Sequence, residues 1–393
     1  MKSDAVFVFA TCQAASNAWL KADVRRLQPR LKFAFSRPGL LTFKLEAPGG
    51  VPVPIASPFA LVSGRSLGMA KSPEDVARLL EGLPRHAAPL RLHVFERDGR
   101  EASDARDARP KRHTNELRRM SPAGDDAAEA GREPDLASGT RARAVEATLR
   151  AALPARFAAD VEARDGELVL DVVVAPAAAL IASGGPAVPE ESSEPWFIGT
   201  HTHTPTRWCS PWPGGPRRVT PPAEAPSRAY AKIEEAIAWA GLVMKPKEVV
   251  VEIGAAPGGV AWALLQRGLE VVGVDPGAID ARVLAFVGPA GNRFRHLRMV
   301  SGALTSEQLP AHVDWLLCDM NIDPPAALRA LAELVALRPR EWRGLVFTLK
   351  LNDERIREAL PLLLDRVAEL GLGKPRALQL PSNRREVTVV ALR

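Results

Sequence analysis

Along the second half of the chain, short apolar runs alternate with stretches of helical period. Glu248-Val-Val-Val-Glu-Ile253 is β-branched and stops abruptly at small residues, and Val260-Ala-Trp-Ala-Leu-Leu265 resumes with a helical spacing. That order predicts a strand, a glycine turn and a helix. Leu269-Glu-Val-Val-Gly-Val-Asp275, Val313-Asp-Trp-Leu-Leu-Cys-Asp319 and Gly344-Leu-Val-Phe-Thr-Leu-Lys350 are buried-type runs that end in a charge, whereas Glu386-Val-Thr-Val-Val-Ala-Leu392 begins with one. The implied fold class is α/β, a mostly parallel sheet with an antiparallel last strand. Parallel strands present their carboxyl ends at one rim and an antiparallel strand presents its amino end there, so Asp319, Lys350 and Glu386 are predicted to meet. Lys232, on the amphipathic stretch Ser227 to Ala236 just before the first of these strands, is predicted to reach the same mouth.

The first half reads as α+β. Ala5-Val-Phe-Val-Phe-Ala10 and Leu40-Leu-Thr-Phe-Lys-Leu45 are strand-like runs around a helix near Asn17 to Leu27. A helix start at Ser72 with Glu74 leads to the strand Leu90-Arg-Leu-His-Val-Phe95, then to a helix near Val145 to Leu153 and strands at Glu167 to Val174 and Pro195 to Thr200. From about 97 to 143 the chain has almost no large apolar residues and is predicted to be a flexible insertion, with Lys111 to Arg119 as its basic portion. The expected division is 1–65 (a small α+β domain), 66–205 (a second α+β unit carrying that insertion), 206–226 (a proline-rich connector) and 227–393 (the α/β sheet).

Composition narrows the function classes. The 393 residues suffice for two or three cores, and the net charge of +6 is unevenly spread. Lys2, Lys21, Arg25, Arg26, Arg30, Lys32, Arg37 and Lys44 face only Asp4, Asp23 and Glu46 in the first fifty residues, a phosphate-facing pattern. Three distant cysteines, Cys12, Cys209 and Cys318, argue against a disulfide framework. No apolar stretch long enough to span a bilayer and no signal-peptide pattern is present, so the expectation is a cytoplasmic protein without a membrane partner.

The glycine turn Glu252-Ile-Gly-Ala-Ala-Pro-Gly-Gly259 is the strongest chemical signal. Gly254, Gly258 and Gly259 permit a sharp turn and close approach of a ligand, Pro257 suits the first turn of the helix, and Glu252 and Ala255 frame the turn. Asp275, ending the next strand, is placed to grip ribose hydroxyls. Ala256 stands where the dinucleotide fingerprint needs its middle glycine, which disfavours NAD and leaves another nucleoside-type cofactor. His201, His203 and Cys209 invite a zinc reading, but two histidines at i and i+2 without a suitably spaced fourth ligand favour a polar strand face that meets RNA; no metal is expected. Asn321-Ile-Asp-Pro-Pro325 is similar to an element of methyltransferases acting on base amino groups, yet Ala326 follows where an aromatic platform is required, so helix initiation by Pro324 and Pro325 is preferred.

Together, Ala225 to Glu235, Gly254 to Gly259, Cys318-Asp-Met320, Leu349-Lys350 and Arg385-Glu-Val-Thr-Val389 resemble the FtsJ/RrmJ-type RNA 2′-O-ribose methyltransferases, in particular the branch with a THUMP-containing N-terminal region that methylates a cytidine ribose of 23S rRNA. The resemblance covers roughly 195 to 393 well, and earlier residues in layout only. It implies a Rossmann-like sheet, S-adenosylmethionine as cofactor, 23S rRNA or a large-subunit precursor as partner, and a THUMP-like RNA-binding role for 66–205. It also implies a catalytic tetrad of Lys232, Asp319, Lys350 and Glu386, in which Lys350 takes the hydroxyl proton with a pKa lowered by Lys232 and by desolvation. Asp319 would steady Lys350 and contact the cofactor, and Glu386 would steady Lys232 or the hydroxyl. Where the family has an adenine-contacting acid after its third strand, this chain has Ser301. Two other activities fit part of the pattern: a base-amino methyltransferase, and a non-catalytic RNA-binding assembly factor.

Overall fold

The computed structural model describes residues 5–46, 54–83, 89–99, 139–176, 194–204 and 210–393. Most of the expected insertion, with Lys111 to Arg119, lies outside the described residues, as do Lys2 and Cys209. Two units emerge, Met1–Gly215 and Pro216–Arg393, and their border lies within the expected connector.

The first unit runs β1 (Phe7–Thr11), α1 (Asn17–Leu27), β2 (Leu31–Arg37), β3 (Leu40–Leu45), β4 (Val62–Ala70), α2 (Pro73–Glu81), β5 (Arg91–Glu96), α3 (Thr140–Ala152), β6 (Leu168–Val174) and β7 (Trp196–Thr202). All seven strands form one sheet in the order β2-β3-β1-β4-β7-β6-β5. The domain boundary expected at 65 is therefore corrected: it falls inside β4, which pairs with β1 on one side and β7 on the other, so no break separates 1–65 from the remainder of the unit. On one face Leu92, Val94, Leu170, Val172 and Ile198 pack against Val76 and Leu80 of α2 and Val145 and Leu149 of α3. Ser72 caps α2, its hydroxyl accepting from the Asp75 N–H.

The second face of this sheet carries the histidines. His93 and Asp171 are register partners on parallel β5 and β6, and His201 lies two residues beyond Gly199, the partner of Asp171 on β7. Period two therefore places all three side chains together. The expected RNA-facing role of His201 and His203 is overturned, because both are buried. Coil covers the face: the Val161 carbonyl lies 2.8 Å from His93 Nε2, and Ala163 is bonded to Pro211. Asp171 Oδ2 and His201 Nδ1 approach to 2.5 Å. Among the described residues no group of three or more potential ligands is arranged for a metal.

The second unit runs α4 (Ala229–Ala240), β8 (Val249–Ile253), α5 (Gly259–Gln266), β9 (Glu270–Val274), α6 (Ala281–Leu284), β10 (Phe294–Leu297), β11 (Trp315–Cys318), α7 (Pro324–Leu337), β12 (Gly344–Lys350), α8 (Glu354–Glu358), α9 (Leu360–Ala368), β13 (Arg376–Leu378) and β14 (Glu386–Leu392). Its sheet is ordered β10-β9-β8-β11-β12-β14-β13. The neighbours from β10 to β12 are parallel, and β14 is antiparallel to both β12 and β13. This is a Rossmann-like sheet. Its chain order reverses between β8 and β11, and at such a switch point the strand ends leave a crevice for ligand. Val250, Val251 and Ile253 are fully buried, as a strand covered on both faces requires, each worth roughly 1.5–3 kcal/mol relative to exposure. No helix of the described residues is long and apolar enough to cross a membrane.

Candidate active site

The residues flanking the crevice follow from strand register. Leu317 of β11 pairs with Glu252 of β8 on one side and, on the other, with Val346 of β12, so their side chains share a face. Two residues further along, the same face carries Gly254, Asp319 and Thr348, with Thr388 opposite Thr348; one pair further, Lys350 stands opposite Glu386. α4 packs against α5 and β14 on this side. Lys232 thereby enters from the covering helix, and Lys232, Glu252, Cys318, Asp319, Thr348 and Thr388 line one cleft.

Four groups close a ring there. Lys232 Nζ lies 2.6 Å from Glu386 Oε1 and 3.3 Å from Asp319 Oδ2. Lys350 Nζ lies 2.7 Å from Asp319 Oδ1 and 2.7 Å from Glu386 Oε2. Each carboxylate thus bridges both ammonium groups with separate oxygens, and opposite charges alternate around the ring. Glu386 touches both lysines, an assignment that strand patterning leaves open.

The electrostatics correct one expectation. Burial pushes the Lys350 amine down, but Asp319 and Glu386 outweigh it, and Lys350 is held above its ordinary value rather than below. Burial likewise pushes Asp319 up, and Lys232 and Lys350 outweigh that, holding its carboxyl below the usual range. Cys318 is pushed up to about 12 by burial and is an inert neighbour rather than a nucleophile.

The glycine turn is tight for reasons the structure makes explicit. Gly254 has φ 83°, and a Cβ there would come within 2.9 Å of the Met320 nitrogen. Gly258, with φ 110°, forms the N-cap of α5; its left-handed backbone means that the helix cannot start earlier, so Pro257 precedes the first turn instead of occupying it. A Cβ on Gly259 would meet Ser227 Oγ at 2.2 Å, where α4 begins. Ala255 is buried beneath the turn. Asp275 accepts from the Ala256 N–H at 3.1 Å and the Gly277 N–H at 2.6 Å, so it holds the turn itself. Ser301 is half-buried in a short 3-10 turn, Ser301–Ala303, after β10.

A nucleoside-type cofactor with a cationic group fits these residues. Glu252 is 2% exposed, lines the cleft, and its Oε2 has no hydrogen-bond partner among the described residues. Burial, then Asp319 and Asp275, push its carboxyl well above the usual range. A bound cation would relieve that cost. The base-amino element does not assemble: Asp323 is the N-cap of α7, Pro324 and Pro325 occupy its first turn, and Ala326 supplies no ring.

Pattern reading missed a further group at this site. Glu235, 1% exposed on α4, accepts from the Val219 N–H at 3.0 Å, the Ser382 N–H at 2.8 Å and the Ser382 hydroxyl at 2.7 Å. A glutamate three positions after Lys232 on an amphipathic helix reads as surface charge, and no sequence signal marks the partner turn.

Residues 225–342 match the family model for FtsJ-like methyltransferase. The chain is 35% identical over 190 residues to the ribosomal RNA large subunit methyltransferase M of Azoarcus sp. (strain BH72), covering 46% of this chain and 50% of that protein. For the protein of that name from Alkalilimnicola ehrlichii the identity is 35% over 194 residues, 47% and 50% of the two chains, and for that from Methylococcus capsulatus 32% over 233 residues, 54% and 61%. The chain spans about half the length of the first of these curated relatives. The second unit, with its switch-point crevice and glycine turn, carries an FtsJ-like methyltransferase domain.

Proposed function

We propose that the chain transfers the methyl group of S-adenosylmethionine to a ribose 2′-hydroxyl of RNA, with large-subunit ribosomal RNA as substrate and, following the family resemblance, a cytidine of 23S rRNA or its precursor as the modified nucleotide. The observation that carries this reading is the closed Lys232–Asp319–Lys350–Glu386 ring at the mouth of the glycine turn. Bound at that turn, S-adenosylmethionine would supply a methyl group activated on a sulfonium. Gly254, Gly258 and Gly259 would leave the cradle open to it, Asp275 and Ser301 would hold its nucleoside, and Glu252 would offer its unsatisfied oxygen to the ammonium at its amino-acid end.

The ring acts on the hydroxyl. Lys350 and Lys232 are locked by two carboxylates each, so their N–H groups are fixed before substrate arrives. A hydroxyl seated at neutral Lys350 is oriented for in-line attack, and charge developing on its oxygen as the new O–C bond forms and the methyl–sulfur bond breaks is stabilised by the Lys232 ammonium. The hydroxyl proton passes to the neutral form of Lys350, which Asp319 and Glu386 keep a minority species at neutral pH. General-base help is worth about 10²–10⁴-fold. Orientation contributes more, on the order of 7–11 kcal/mol in well-aligned systems.

For the first unit we propose RNA recruitment in a THUMP-like role. Arg25, Arg26, Arg30, Lys32, Arg37 and Lys44 are all exposed, which suits contact with phosphates. With this substrate the protein would act in the cytoplasm. The test is incorporation of labelled methyl into ribosomal RNA followed by alkaline hydrolysis. Ribose methylation protects the adjoining phosphodiester; label in an alkali-sensitive nucleotide would show base methylation, and binding of RNA without any cofactor affinity would show an assembly factor.

A further inference from the structure

Glu235 is buried without touching any member of the charge ring, and burial pushes its carboxyl upward against the pull of its donors and Arg218. Its partners explain why a group so costly to bury stands there. Ser382 belongs to the turn between β13 and β14 that delivers Glu386. That turn is internally stiff: Asn383 Oδ1 accepts from the Leu380 N–H at 2.8 Å and the Thr388 hydroxyl at 3.1 Å, and Gln379 Nε2 donates to the Arg384 carbonyl at 2.8 Å. A stiff turn moves as a body, so its position relative to α4 is set by what ties the two together. Glu235 makes that tie with both carboxylate oxygens, and Arg218 adds a bond to the Pro381 carbonyl at 2.9 Å.

We propose that Glu235 is a positioning residue for methyl transfer: by fastening α4 to the Ser382 turn it fixes the Lys232–Glu386 side of the ring at its 2.6 Å contact. The inference rests on the reaction proposed above. Lys232 and Glu235 are one helical turn apart on a single rigid element, and Ser382 and Glu386 are four residues apart on a single stiff turn. The Glu235–Ser382 bonds and the Lys232–Glu386 contact therefore join the same two bodies at two points. Loosening the first lets the second open, tilting Lys232 away and leaving Glu386 to Lys350 alone. The cofactor cradle, on β8 and the start of α5, is built from other residues.

The experiment uses the full chain with Glu235→Ala, Ser382→Ala and Ser382→Thr, measuring single-turnover kcat, KM for RNA, and the affinity for S-adenosylmethionine by calorimetry. Glu235→Ala is expected to lower kcat about 10²-fold, the scale of an ångström misplacement, with cofactor affinity within about twofold of the parent. Ser382→Ala is expected to lose about tenfold and Ser382→Thr, which keeps the hydroxyl, to recover most of it. If Glu235→Ala does not fold, the Ser382 pair decides. A kcat for Ser382→Ala within about twofold of the parent, or a crystal structure of it with the Lys232–Glu386 contact unchanged, would overturn the inference. Failure of the parent protein to methylate ribose would instead overturn the proposed reaction, and the structure of Ser382→Ala would still report on the tie.

Discussion

Lys350 and Glu386 stand directly opposite each other across the antiparallel pair β12 and β14, and their side chains meet at 2.7 Å. The pairing register thus fixes one edge of the charge ring before any side chain chooses a rotamer. Removing the amine by Lys350→Ala should lower ribose methylation by at least about 10²-fold while leaving S-adenosylmethionine affinity nearly unchanged. Labelled-methyl transfer and calorimetry on the same preparation check this, and retained methylation would remove Lys350 from the mechanism.

The pH dependence has a definite sign. Lys350 is held above its ordinary value of 10.5, so its neutral form grows about tenfold per pH unit throughout the neutral and mildly alkaline range. The single-turnover rate should rise with pH from about 7 to about 10 without a plateau. On the acid side, Asp319 is held below its ordinary 3.8, so the stability it contributes is present above that value and is lost as pH falls through its lowered folded-state value. A rate that levels off near neutrality would contradict proton transfer to Lys350.

Glu252 predicts a pH-dependent cofactor grip. Burial, Asp319 and Asp275 hold its carboxyl well above the usual range, and a cation bound beside it favours the ionised form. Binding of S-adenosylmethionine should therefore release protons and tighten as pH rises. Glu252→Gln should weaken binding and flatten that dependence, measured by calorimetry in buffers of different ionisation enthalpy. An unchanged slope in the variant would locate the titrating group elsewhere.

Gly254→Ala tests the cradle. The backbone at φ 83° and the 2.9 Å approach to Met320 leave a methyl group nowhere to go. A cost of about 1–3 kcal/mol is expected from strained backbone. It should appear as a lowered melting temperature of the second unit together with weaker cofactor binding.

In the first unit, His93 predicts acid sensitivity. Burial, opposed by Asp171, brings it from 6.5 to about 4, so the unfolded chain takes up the proton first. Stability should fall as pH drops from about 6.5 toward 4, by roughly 3 kcal/mol in all. His93→Gln should shrink that loss in chemical denaturation at pH 7 and pH 4.5.

The catalytic sheet was more legible in sequence than the first unit, for physical reasons. β8, β9, β11 and β12 are buried on both faces and read as apolar runs, the last three ending in charge, so the rim holding Asp319, Lys350 and Glu386 could be placed from pattern alone. β2 and β4 carry no such mark. β4 is Val-Ser-Gly-Arg-Ser-Leu-Gly-Met-Ala, a strand only because β1 and β7 pair with it, and Gly64 is required where a Cβ would lie 2.3 Å from the Thr200 carbonyl oxygen. The alternation of His201 and His203 showed which side chains share a face but not that coil near Val161 and Pro211 covers it. The sign of the Lys350 shift is not legible in sequence for a related reason: residue types name the neighbours, whereas distances decide that two carboxylates outweigh desolvation.

The antiparallel course of β14 also governs the order in which the ring can come into being. Lys232 precedes the sheet, Asp319 and Lys350 end its middle strands, and Glu386 begins the last strand. During synthesis, both cations and one anion exist before the second anion is made. Without Glu386 the ring would set two ammonium groups against one carboxylate, so β14 supplies the balancing charge as well as the strand that lies between β12 and β13. Completion of the sheet and charge balance within the ring therefore depend on the same strand.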